Sequence, residues 1–233
     1  MAKIVSNIAA RSDAVVDAYI RKRYAILFYS LLLTFGASPL FAALQWKSSF
    51  IEILLAATLL VAVLPVRTVS VRWTLWILVG LALVMRFASV DLGPSFSSIN
   101  LGIFTLVGLL AAVNALRFTF RAASIDSAHI YAALSAYLLA GISFGVLYWV
   151  IEHTWPGSLL YGGGSVENFG TADGIYFSFV TLATLGYGDF VPKTEVARGL
   201  AVLEAVAGQL YLGVMVARLV SLYVSGTAAK KEG

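Results

Sequence analysis

A chain of 233 residues that is 60% hydrophobic and 12% charged, with a mean hydropathy of +0.89, is not an ordinary soluble domain and must place several segments in a membrane. The lack of cysteine excludes disulfides and thiolate metal sites, and His129 and His153 are too few and too far apart for a metal centre. A net charge of +4 and a pI near 9.3 suit basic loops beside anionic lipid better than a nucleic-acid surface.

Residues 1–23 are mixed in character and end in Arg21-Lys22-Arg23, directly before the first apolar run. A cleavable signal would place its apolar core closer to Met1, so 1–23 reads as a cytoplasmic N-terminal segment. Within it, 5–20 can form an amphipathic interfacial helix or stay without fixed structure. A helix needs about 20 apolar residues to cross the hydrocarbon core. Six stretches qualify: 24–44, 50–66, 72–90, 98–116, 129–151 and 196–224. The second stops at Pro65, and Asp91-Leu92-Gly93-Pro94-Ser95 supplies a turn between the third and fourth.

Residues 24–117 thus form a four-helix membrane domain, 118–128 a linker, 129–224 a two-span unit and 225–233 a cytoplasmic tail. With the N-terminus inside, inner segments hold twelve Lys and Arg and outer segments four, which sets both termini in the cytoplasm. The last span ends close to residue 233, so no soluble regulatory domain is expected in this chain. Outer carboxylates (Asp91, Glu152, Glu167, Asp173, Asp189 and Glu195) make either a negative field that concentrates cations or plain acidic loops.

The fourth span is informative for what it lacks. A voltage sensor carries arginines at every third position, each worth about 2.3 kcal/mol per 100 mV moved. Residues 98–116 carry no charge, with Asn114 the main polar group, and Arg117 and Arg121 lie at the inner end as an interfacial anchor. Weak or no intrinsic voltage dependence is expected.

Between the last two spans, 152–171 is polar and Gly-rich, as a surface loop should be, and Gly162-Gly163-Gly164 has no phosphate-loop context. Residues 172–183 are apolar but too short to cross, which reads as a re-entrant helix. Irregular backbone at that depth survives only where protein buries it or water lines it. The helix leads into Thr184-Leu185-Gly186-Tyr187-Gly188-Asp189, where alternate glycines accept left-handed backbone angles. No nucleophile–base pair, paired carboxylate or metal-ligand spacing accompanies it, so an enzyme is not expected.

The run Thr181-Leu182-Ala183-Thr184-Leu185-Gly186-Tyr187-Gly188-Asp189 resembles the selectivity filter of the potassium channel superfamily. The resemblance covers about 129–224 and is to bacterial six-span, single-pore-loop (ion-channel-2 type) subunits without a charged voltage sensor. It implies an all-α membrane protein with six transmembrane helices, an outer helix at 129–151, a pore helix at 172–183, a filter at 184–189 and an inner helix at 196–224. It also implies a homotetramer in a bacterial inner membrane, in contact with lipid. K+ is the permeant ion and no cofactor is implied.

Residue by residue, the carbonyls of Thr184, Leu185, Gly186 and Tyr187, with the Thr184 hydroxyl, would form the K+ sites, and Gly186 and Gly188 would give the backbone its freedom. Tyr187 would pack against pore-helix aromatics. Tyr176 and Phe177 stand where relatives carry a tryptophan pair, and otherwise serve as plain interface residues. Asp189 and Arg198 bracket the outer mouth and are expected to interact. Leu185 replaces the commoner valine, and Val180 stands where some bacterial relatives place a carboxylate.

Gly208 falls at the hinge position, or packs closely on the pore helix. Gln209, Leu212, Val216 and Val220 share a helical stripe that would line the cavity. Glu204, one turn before Gly208 in an apolar helix, needs a partner or a function. It is expected to reach Ser178 or Thr181, as a buttress or as a proton sensor, and its replacement by Gln to disturb gating or filter stability. The alternatives are a nonselective cation channel and a non-conducting membrane scaffold with a relic filter. Four pore loops in one chain would mark a potassium transporter, but only one is present.

Overall fold

The computed structural model describes residues 22–36, 76–77, 80, 94–120, 127–166 and 168–229. Residues 1–21, the expected span 50–66, most of 72–90, Arg121 and the end of the tail lie outside the described residues. Five helices are described: α1 over 22–36, α2 over Pro94–Phe120, α3 over Ser127–Thr154, α4 over Thr171–Leu182 and α5 over Glu195–Ala229. Pro94 opens α2, where its fixed φ suits a first turn and its missing N–H costs nothing. Among the described residues, α3 and the Glu195–Arg218 part of α5 are long and apolar enough to cross a membrane, while Thr105–Phe120 forms a shorter apolar stretch.

Alanines decide how α1, α2 and α3 meet. Tyr24, Leu27 and Leu31 of α1 are fully buried among Ala111, Ala112 and Ala115 of α2 and Ala132 and Ala136 of α3. Tyr24 stacks on Phe118 at 4.6 Å, and the buried Arg23 guanidinium lies over both rings. Phe35 of α1 meets Phe179 of α4 edge-on at 4.8 Å, which carries this packing to the short helix.

Where α3 and α4 cross, glycine lets the two backbones touch. A Cβ on Gly174 would run into the Gly145 carbonyl, and one on Gly145 into the Ile175 backbone. A Cβ on Gly141 would strike the Phe179 ring. Small residues in this spacing bring apolar helices together without a hydrophobic driving force.

The expected surface loop is partly sheet, a departure from an all-helical reading. β1 (Leu159–Tyr161) pairs antiparallel with β2 (Gly164–Ser165) and, on its other edge, with β3 (Phe190–Pro192). Gly162 and Gly163 both have positive φ and make the tight two-residue hairpin turn. The sheet places the α3–α4 connection directly on the segment that leaves 184–189.

Candidate functional site

The loop begins where α4 runs out of helix. At the start of α4, the Asp173 carboxylate accepts the Gly170 amide at 2.8 Å, a favourable charge at a helix N-terminus. At its end, Ala183 donates to Phe179, Thr184 to Thr181 and Leu185 to Val180, the last at 2.8 Å. The final carbonyls of α4 are therefore tied to the first amides of the loop. The partly negative end of the helix macrodipole faces the same place and favours a cation there.

From here the backbone alternates in hand. Thr184, Gly186 and Gly188 have φ of 57°, 57° and 78°, whereas Leu185 and Tyr187 between them are not left-handed. Such alternation turns successive peptide groups so that like atoms gather on one side. The glycines were expected to do this; Thr184 was not. A β-branched residue in that region is strained, and the bond from its amide to Thr181 holds it there.

All of 184–188 is exposed in the single chain. Leu185 is 57% and Tyr187 68% accessible in one chain, so the expected packing of Tyr187 against pore-helix aromatics is not made within a single copy. The pair Tyr176–Phe177 divides instead. Phe177 is buried, edge-on to Tyr148 at 4.7 Å and beside Leu159 and Phe169. Tyr176 donates its hydroxyl to Asp189 at 2.8 Å across the loop.

That bond corrects one expectation. Asp189 is partnered by Tyr176, and Arg198 donates its Nε–H to the Pro192 carbonyl at 3.2 Å. The Tyr176 hydroxyl holds the Asp189 carboxyl below the usual carboxylate range, against the opposing effect of burial and with help from backbone amides. A further bond joins Gly162 in the hairpin turn to the Asp189 carbonyl at 3.0 Å. The outer end of the loop is thus fixed from α4 and from the sheet.

Of the four outer carboxylates among the described residues, three are committed to the chain itself. Glu152 is buried and accepts the amides of Gly157 and Leu159 at 2.7 and 2.8 Å, which fixes the turn after α3. Asp173 caps α4. Glu195 is exposed, and Asp91 and Glu167 lie outside the described residues.

Behind the loop, α3, α4 and α5 meet at Glu204. Its side chain is fully buried; Oε2 accepts the Tyr148 hydroxyl at 2.7 Å, and Oε1 lies 2.5 Å from Ser178 Oγ. Of the two expected partners, Ser178 is engaged and Thr181 instead gives its carbonyl to Thr184. Gly208, one turn on, is pressed against α4: an added Cβ would come within 2.8 Å of the Leu182 carbonyl and side chain. Close packing is what this glycine serves in the chain.

Gln209, Leu212 and Val216 are exposed, as is most of α5, so the single chain does not distinguish their stripe. The Val220 side chain falls outside the described ones. The sequence reading missed Gly141, Gly145, Gly174 and Tyr148. The Gly-x-x-x-Gly spacing of 141 and 145 in an apolar helix was a usable signal for the first two.

A family model described as "Ion channel" matches residues 133–225. The chain is 30% identical over 93 residues to "Two pore potassium channel c" of Oryza sativa subsp. japonica, covering 40% of this chain and 18% of that protein. It is 40% identical over 53 residues to "Two-pore potassium channel 4" of Arabidopsis thaliana, covering 23% and 19%. "Inward rectifier potassium channel Kirbac3.1" of Paramagnetospirillum magnetotacticum is 32% identical over 96 residues, covering 40% and 28%. The chain therefore spans less than a third of each of these relatives. No solved structure matches it. Residues 133–225 are thus similar to ion-channel sequences, and this stretch holds most of both helices that are long and apolar enough to cross a membrane among the described residues.

Proposed function

We propose that this chain is one subunit of a potassium-selective channel, in which four copies bring residues 184–188 together around a common axis. The carbonyls of Thr184, Leu185, Gly186 and Tyr187 replace the hydration shell of K+, and the Thr184 hydroxyl completes the inner site. The observation that carries this reading is the alternation of backbone hand at Thr184, Gly186 and Gly188, at the negative end of a short buried helix.

Conduction is passive and not strongly voltage-driven, since 98–116 bears no charge to move in the field. Tyr187, bare in one chain, packs against a neighbouring copy. The stripe of Gln209, Leu212, Val216 and Val220 lines the inner cavity, and its apolar part closes by dewetting. The protein sits in a cell membrane with both termini inside, as the distribution of basic residues requires.

The test is the bi-ionic reversal potential, K+ against Na+, of the purified full chain in planar bilayers, with Gly186→Ala as control. A preference for K+ that the control loses is the expected result. Current without preference, in a preparation shown to be folded, would replace this reading with a nonselective pore.

A further inference from the structure

At the α3–α4–α5 junction one hydroxyl stands between two oxygens. The Ser178 hydroxyl lies 2.7 Å from the Gly141 carbonyl and 2.5 Å from Glu204 Oε1. It has one hydrogen to give. With an ionised Glu204, both neighbours would be acceptors, and one short contact would set lone pair against lone pair. With a proton on Oε1, Glu204 donates to Ser178, Ser178 donates to Gly141, and Tyr148 donates to Oε2. Every polar atom is then satisfied, as buried groups require.

The surroundings agree. The ionisable groups that sense Glu204 are Tyr148 and Tyr137, both on α3 and both neutral near pH 7. From α4 only the Ser178 hydroxyl reaches it, and Asp173 of that helix is spent on the cap at its far end. On α5 itself, Glu195 and Arg198 lie about two turns before Glu204 and are exposed, with Arg198 bound to Pro192; about two turns after it the Tyr211 hydroxyl donates to the Ala133 carbonyl, and Arg218, about four turns on, lies over the Phe120 ring. Among the described residues no cation compensates a charge on Glu204. An unpaired charge at a fully buried position is far more costly than a neutral acid.

We infer that Glu204 is a neutral acid at physiological pH, whose proton locks the inner helix to the pore helix through Ser178, and that losing this proton shuts the channel. Ser178 lies half a turn before Val180, whose carbonyl holds the amide of Leu185. Without the proton, one hydrogen must serve two acceptors, and the chain of bonds Tyr148–Glu204–Ser178–Gly141 breaks at its centre. Glu204 is a positioning residue here, since it acts on the loop through α4. The effect on conduction rests on the channel reading above; the protonation itself does not.

This reverses the expectation for glutamine. An amide at 204 donates to Ser178 and accepts from Tyr148, as the neutral acid does, but cannot ionise. The experiment uses the purified full chain, wild type beside Glu204→Gln and Glu204→Ala, in lipid vesicles across neutral and alkaline pH. Infrared spectroscopy reads the carbonyl stretch of a protonated carboxylic acid, thermal unfolding reads stability, and K+ flux reads conduction.

The wild type should show at neutral pH an acid band that Glu204→Gln lacks, and that variant should keep the wild-type unfolding temperature while Glu204→Ala loses it. As pH rises, the band should vanish and flux should fall about tenfold per pH unit beyond the midpoint, while flux through Glu204→Gln stays flat. An ionised Glu204 at neutral pH, or a glutamine variant as unstable as the alanine one, would overturn the inference. The infrared and thermal readouts need no current, so a failure of the channel reading is told apart from a failure of this one.

Discussion

α3 and α5 are both long apolar helices, yet the chain treats them differently. In its most apolar window α3 is 56% buried and α5 only 17%. α3 is covered by α1 and α2 on one side and by α4 on the other. α5 meets its own chain along one narrow stripe, Ala197, Glu204, Gly208 and Met215, and leaves Val202, Leu203, Val206 and Leu210 bare. A helix completed inside one subunit teaches how the chain folds. A helix left open points to surfaces the chain does not contain, which under the proposed function are lipid and three further copies.

Charge substitutions should separate the two helices most strongly. Ala136→Asp on α3 buries an unpaired carboxylate in the core of the single chain, an effect of about 3–5 kcal/mol. No folded protein should be recovered. Leu203→Asp on α5 should leave a folded chain by circular dichroism but a monomer on native sizing, since Leu203 is 60% exposed in one chain. Equal loss of folding in both would erase the distinction.

Glycines sharpen it further. Gly174→Ala forces a Cβ onto the Gly145 carbonyl, where neither backbone can yield, and should cost about 1–3 kcal/mol in thermal unfolding. Gly213→Ala on α5 meets nothing within 4 Å and should leave the folding of the single chain unchanged. At the junction between the helices, Tyr148→Phe removes one hydrogen bond to Glu204 and should cost about 1 kcal/mol.

The smallest effect is expected at the outer mouth. Asp189 titrates below the ordinary carboxylate value of 3.8 because Tyr176 donates to it. Its contribution is therefore fully present above that value and is lost as pH falls through the lower, folded one. Tyr176→Phe should remove this acid sensitivity by slightly lowering the unfolding temperature at neutral pH, while the two proteins should coincide at acid pH, where the contribution is already lost.

What was legible in the sequence followed from local rules. The run 172–183 was too short to span and too apolar for a loop, and α4 occupies 171–182. Gly186 and Gly188 announced positive φ, and Glu204 announced a need for partners, of which Ser178 was foreseen. What was not legible depended on three-dimensional neighbours. Thr184 is left-handed because α4 ends against it, which no propensity of threonine predicts. The partner of Asp189 was assigned to Arg198, but β3 carries Pro192 to the guanidinium and leaves Asp189 beside Tyr176. The hairpin at 159–165 was read as loop because its strands are two and three residues long, below any detectable alternation.

The most direct test of the account is the native mass of the purified chain in a lipid-like environment. Four chains of 24.9 kDa per particle is the predicted result, because one loop of 184–188 supplies one side of an ion site and α5 is left bare by its own chain. A stable, folded monomer would contradict it, since no single copy of this loop can surround an ion.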